Sequence, residues 1–261
     1  MSSGAPNETE ESEVLLRFRC VTYKHRGEFR EVLRNVSLRI YARTVTALMG
    51  PTGIGKSTLL RLIGGLERPT SGEILFRGGD IASTNRPTVG LMSQQSALVE
   101  ALSVLKNIEL GVAASVPRNL RRAEAAKWLN DLGLATVGKQ HSPTLSGGQQ
   151  ARTELGRALA MKPDLLLLDE PFKSLDVVTR GAVYEVIRDA TSNGVTVVLV
   201  THDIEEAFVL ADSILVLRPK GLPQRIVPCR AGQGAENAKS KDIVVHSIDA
   251  LLQEYRACMS K

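Results

Sequence analysis

Gly50-Pro51-Thr52-Gly53-Ile54-Gly55-Lys56-Ser57-Thr58 has the spacing GxxxxGK[ST]. Its flanks make the match chemical rather than accidental. Val45 to Met49 before it is mostly apolar and reads as a buried strand. Leu59, Leu60, Leu62 and Ile63 after it line one side of a helix. A strand, a glycine-rich turn and a helix make a phosphate cradle. Gly50, Gly53 and Gly55 let backbone N–H groups crowd round a polyphosphate. Lys56 is placed to reach the outer phosphates, Ser57 to hold Mg²⁺, and the helix N-terminus adds a favourable field. A ligand-free glycine turn leaves the Lys and Ser offsets unexplained.

Downstream, Leu145-Ser146-Gly147-Gly148-Gln149 opens a second helix, to about Met161. Ser146 is a helix cap, and the two glycines expose the first N–H groups, again suited to an anion. Leu165 to Leu168 is a continuous apolar run, a buried parallel strand ending in Asp169 and Glu170. Asp169 is placed to hold the hydration shell of a metal ion, and Glu170 to polarise or deprotonate a water attacking a γ-phosphate. Ser174-Leu175-Asp176 follows, either a turn with a helix cap or an interface loop, and residues 177–191 are helical in pattern. Val195 to Val200 is another core strand, and its C-terminal tip carries Thr201-His202-Asp203. A histidine there sits at the ligand edge of such a sheet, where it can bond a phosphate or orient a water. Residues 204–212 then read as a helix and 214–217 as a last strand.

Upstream, Val14 to Val21 and Val36 to Ile40 read as strands round a polar turn, and residues 1–13 read as disordered. Tyr23 closes the first strand; it is a half-buried strand aromatic or a platform for a base. Glu73 to Phe76 and residues 88–93 are further strands. Gln94, just past the second of these, is a surface residue or offers its carbonyl to Mg²⁺ or the attacking water. Residues 104–111 and 118–133 are helical in pattern. Residues 230–241 read as a linker and 242–255 as a short strand and helix.

Bulk properties narrow the class. With 261 residues, the chain has room for one large domain, or one with a subdomain. The net charge of +5 is spread along the chain, and no zinc-finger spacing or long basic helix supports nucleic-acid binding. Cys20, Cys229 and Cys258 are odd in number and far apart, which suggests a reducing compartment and no metal site. The segment from Met1 to Glu13 is polar and acidic, unlike a signal peptide, and no apolar stretch approaches membrane-spanning length.

The nucleotide loop, Gln94, LSGGQ at 145–149, LLLLDE at 165–170, SLD at 174–176 and THD at 201–203 occur in a fixed order. Together they resemble an ATP-binding-cassette (ABC) ATPase subunit over about residues 14–222, and LSGGQ separates this class from other P-loop proteins. The resemblance implies an α/β fold: a P-loop NTPase (RecA-like) core with an antiparallel β subdomain and a helical subdomain inserted at about 95–155. The implied domains are 14–229 for the ATPase and 230–261 for the tail.

It implies ATP and Mg²⁺ as cofactors, with Glu170, His202 and Gln94 catalytic. Nucleotide contacts would come from Tyr23, which stacks on adenine, residues Gly50, Pro51, Thr52, Gly53, Ile54, Gly55, Lys56, Ser57 and Thr58, the signature Ser146, Gly147, Gly148 and Gln149, and Asp176. Metal ligands would be Ser57, Gln94 and Asp169. The implied partners are a second copy of the chain, a transmembrane permease docked on the helical insert and an external solute-binding protein, and no nucleic acid. The implied place is the cytoplasmic face of the inner membrane, as a peripheral subunit.

Leu66 to Gly72, Asp169-Glu170-Pro171-Phe172 and Thr201 to Ala207 are similar to importers of the nitrate/sulfonate/taurine type. Related subgroups handle thiamine precursors, other organic anions or lipids. Departures are Ser93 before the glutamine, Glu100-Ala101, Ala151 two positions past the signature, and Lys173 where a small residue is usual. None removes a catalytic group. A non-transport ABC ATPase is the other class to separate; such proteins usually carry two cassettes, and this chain has one nucleotide loop.

Overall fold

The computed structural model describes residues 14–27, 29–83, 86–93, 97–217, 225–228 and 253. In chain order the first elements are β1 (Val14–Lys24), β2 (Glu31–Tyr41), β3 (Val45–Met49), α1 (Lys56–Ile63), β4 (Ser71–Phe76), β5 (Gly79–Asp80) and β6 (Val89–Met92). Then come α2 (Val104–Gly111), α3 (Arg118–Asp131), α4 (Gly147–Ala160), β7 (Leu165–Asp169) and α5 (Val177–Ser192). The last are β8 (Thr196–Val200), α6 (Ile204–Leu210), β9 (Ser213–Val216) and β10 (Arg225–Pro228). They form two compact units, Met1–Pro87 with His202–Lys261, and Thr88–Thr201.

In the first unit, β1 pairs antiparallel with both β2 and β4, in the sheet order β2-β1-β4-β5. Leu16 and Phe18 face the core. At Cys20 the backbone turns to φ 49° and the register with β2 shifts between Phe18 and Val21. One extra residue moves the following side chains to the opposite face, so Val21 and Tyr23 are buried in their turn. β2 starts five positions before Val36, because Glu31 to Asn35 pair with the end of β1 although Glu31, Arg34 and Asn35 are polar. β3 is buried at every position and runs parallel to β9, and β10 adds an antiparallel strand to β9. β10 lies in a Gly- and Pro-rich stretch that shows no strand periodicity, so composition hides it. The strand and helix expected over 242–255 fall outside the described residues except for Gln253, which is helical.

In the second unit, β6, β7 and β8 pair in parallel, and Leu165 to Leu168 are fully buried, as a strand covered on both faces requires. α2, α3 and α4 pack together in the same unit. α2 meets α4 at Gly111, where a Cβ would stand 1.9 Å from the Arg157 carbonyl oxygen. Gly111→Ala is therefore expected to force the two helices apart and to cost about 1–3 kcal/mol in urea unfolding. Asn107, fully buried on α2, accepts from the Val99 N–H and shares its amide hydrogens among the carbonyls of Val99, Leu102 and Ser103. That anchor holds the segment 99–103 in one shape. Among the described residues no helix is long and apolar enough to cross a membrane.

Candidate functional site

The loop 50–58 belongs to the first unit, between β3 and α1 as its sequence requires. Gly50, Gly53 and Gly55 have φ of 147°, 79° and 104°. At Gly55 a Cβ would also lie 2.9 Å from Val32 and 3.0 Å from Leu33, so only glycine fits under the β1–β2 hairpin. Lys56 Nζ donates to the carbonyls of Gly50 at 2.8 Å and Pro51 at 2.9 Å, which folds the side chain back over its own loop. Ser57 is exposed in the first turn of α1. Gly55 caps α1 without a side-chain bond, so the helix start presents N–H groups, the partial positive charge an anion needs.

Tyr23, a strand aromatic or a platform for a base by its sequence, closes β1. It is 6% exposed, because the bulge at Cys20 turns it inward. Its hydroxyl lies 3.3 Å from His25 Nδ1, and the two rings meet edge-on, 5.2 Å apart at 88°. Burial, and then the neighbouring Glu67 carboxylate, push the phenol above its ordinary pKa. His25 itself is half-buried.

The second unit carries the signature segment. Ser146 Oγ accepts from the Gln149 N–H at 3.2 Å, and Gln149 Oε1 accepts from the Ser146 N–H at 2.9 Å, a reciprocal capping box at the start of α4. Gln149 is thus engaged in the cap, while the Ser146 hydroxyl keeps its own hydrogen to donate. Gly147 and Gly148 lie against Ser174, leaving 3.2 Å to its Cβ and 3.1 Å to its carbonyl oxygen for any added Cβ. The signature helix and the 174–176 turn are one packed piece. Asp176 takes the cap reading: its carboxylate accepts from the Thr179 N–H at 2.9 Å and the Thr179 hydroxyl at 2.7 Å. Those bonds, the hydroxyl's first, hold its carboxyl below the usual carboxylate range.

Asp169 and Glu170 are half-buried at the end of β7. Glu170 adopts φ 51°, a costly conformation for a residue with a Cβ. Two features hold it there. Its N–H donates to the Val200 carbonyl on β8 at 3.0 Å, and Phe172, fully buried, sits edge-on to Tyr184 at 4.9 Å. Lys173 Nζ stands 3.8 Å from Glu170 Oε2, so the unusual lysine faces the carboxylate assigned to catalysis. His202 is exposed, just before Asp203, which caps α6 by accepting from the Glu205 N–H at 2.8 Å. Gln94 lies outside the described residues.

The donor types, each within its own unit, are those Mg²⁺ prefers. No cluster of three His, Cys, Asp or Glu side chains occurs among the described residues, so a protein-only cage is not built. Ser57 in the first unit offers an exposed hydroxyl and Asp169 in the second a half-buried carboxylate, each a hard oxygen donor.

Comparison with known proteins agrees in kind. The profile of the family described as ABC transporter matches residues 33–173. The chain is 38% identical over 238 residues to "Aliphatic sulfonates import ATP-binding protein SsuB 1" of Rhodococcus jostii (strain RHA1), covering 90% of this chain and 94% of that one. It is 40% identical over 215 residues to "Fe(3+) ions import ATP-binding protein FbpC" of Brucella abortus (strain 2308), covering 81% of this chain but 60% of that protein. Among solved structures, the ATP-binding cassette MJ0796, a dimer in a post-hydrolysis state bound to ADP and Pi, superposes with a TM-score of 0.73 at 32% identity, over 83% of this chain and all of that one.

Proposed function

The chain belongs to the ABC transporter family, and from that premise we propose that it is the ATP-hydrolysing subunit of an importer, working as a pair of copies. The observation that carries this is the nucleotide loop: positive-φ glycines, an uncapped helix start and Lys56 drawn over the loop in one short segment. In the proposed reaction Lys56 neutralises the outer phosphates. Glu170 takes a proton from a water as its oxygen attacks the γ-phosphorus; the bond to the bridging oxygen of ADP breaks, and phosphate leaves. His202 orients that water or the γ-phosphate. Ser57 and Asp169 would hold Mg²⁺, which would supply neutralisation of phosphate charge. Gln94 is assigned by resemblance alone.

Ser146 and the N–H groups of Gly147 and Gly148 would close on the γ-phosphate held by the second copy. This accounts for two phosphate-suited helix starts in one chain. The permease would dock on the segment 99–103, where Val99, Glu100 and Ala101 are presented by the Asn107 anchor. The cargo proposed is a small organic anion of the sulfonate kind, in keeping with the relative spanned at 94% of its length. A thiamine precursor or a lipid is the alternative cargo, and relatives of similar identity named for iron show how little identity alone selects. An external solute-binding protein and a peripheral place on the cytoplasmic side of the membrane belong to the same proposal.

Sedimentation of the Glu170→Gln protein tests the pairing. ATP is expected to convert the 28.3 kDa chain into a dimer, and ADP is not. A monomer at saturating ATP and high protein concentration overturns it. Transport is tested by ATP-dependent uptake of a sulfonate into vesicles carrying the permease.

A further inference from the structure

We propose that the acidic N-terminal segment, with Glu8, Glu10, Glu11 and Glu13, docks on the basic outer face of the β2-β1-β4 sheet, its carboxylates set between Arg17 and Arg39. The partner of this surface is thus part of the same chain. The inference concerns the antiparallel sheet alone and stands apart from the nucleotide-site reading.

Three observations carry it. First, the outer face sets two cations against each other. Leu16 and Phe18 on β1, and Leu38 and Ile40 on β2, are buried on the core side. Alternation sends Arg17 and Arg39, which lie between them, to the opposite face. The register pairs these two arginines directly, so their side chains leave the backbone about 5 Å apart. Like charges so placed repel, and an anion between them removes the repulsion. The next outward residue on β1 meets an acid: Arg19 pairs with Glu73 on β4 at 2.7 Å. Across from Arg17 on that side stands Leu75 instead. Second, a groove on this face opens where the segment enters the sheet. Val14, Arg17, Arg19, Leu75 and Gly78 line it, and Val14 is the first residue of β1. Third, charge and reach match. The 13 residues before Val14 carry four carboxylates and no Lys or Arg. Glu13 adjoins Val14, and Glu8 is six residues from it, about 20 Å of extended chain. Arg17 is three residues along β1, about 10 Å, and Arg39 lies one strand over, about 5 Å. Segment and face belong to the same compact unit. A membrane surface offers the same charge, but the segment is tethered at the groove, and a tethered ligand acts at an effective concentration of the millimolar order.

Digestion of the full chain with a glutamate-specific protease, read by mass spectrometry, measures the rate of cutting after Glu8, Glu10, Glu11 and Glu13. A docked segment is a poor protease substrate. Arg17→Gln with Arg39→Gln is expected to speed cutting about 3- to 30-fold, the worth of two exposed ion pairs. Arg17→Lys with Arg39→Lys keeps both charges and is expected to hold the rate near the parental one. In about 1 M salt the parent is expected to be cut as fast as the glutamine variant, because charges are screened beyond about 3 Å. Arg39 is exposed, so Arg39→Gln alone leaves the core untouched and covers the case in which the double variant misfolds. It is expected to speed cutting about 2- to 5-fold. The inference is overturned if the glutamine variants are cut at the parental rate at low salt. It is also overturned if phosphatidylglycerol vesicles bind the parent chain and the glutamine pair abolishes that binding, because the face would then belong to a membrane surface.

Discussion

Glu170→Gln is expected to lower ATP turnover by roughly 10²–10⁴-fold, the usual worth of a positioned general base, while nucleotide affinity stays near the parent value. The two side chains match in size, and the backbone at φ 51° strains both alike. The Val200 bond to the residue 170 N–H is a main-chain bond and survives the change. The lost pairing with Lys173 costs little, since that lysine is 68% exposed and exposed pairs contribute about 0–1 kcal/mol. A fall in kcat without a fall in melting temperature therefore isolates the chemistry. Phosphate release and ATP titration on the same preparation measure the two quantities. Hydrolysis at the parental rate would assign the base elsewhere.

Lys56→Ala should do the opposite and strike binding first. Charge-assisted bonds to phosphate are worth about 1.5–3 kcal/mol each, so ATP affinity is expected to fall about 10- to 150-fold. A second contribution comes from the protein itself. Lys56 fastens the carbonyls of Gly50 and Pro51, and without it the loop loses two of the bonds that hold its shape. Tripolyphosphate should weaken by the same factor as ATP, because the lysine acts on phosphates and not on the base. A selective loss for ATP would contradict the placement of Lys56.

The elements whose apolar pattern is strong were legible in the sequence almost to the residue. β3, β7 and β8 are short buried runs, and α2 and α4 carry apolar faces, whereas α3 buries only Ala125 and Leu129. The turn ahead of α1, the cap at Ser146 and the position of the two acids at the end of β7 were legible too, because fixed residue types at fixed offsets mark such turns and caps. Other features depend on partners remote in sequence. Nothing in residues 14–23 announces the bulge at Cys20, which exists because β1 must pair with β2 and β4 at once. That one-residue shift decided that Tyr23 is buried. The tertiary structure alone also decided that Gly111 must be glycine, because α4 crosses it 46 positions later at Arg157. It likewise set Ser174 against the signature glycines and brought β10 to β9 from a stretch without strand periodicity. Local chemistry is written in neighbouring residues, whereas face, register and close approach are set by contacts that form only when distant segments meet.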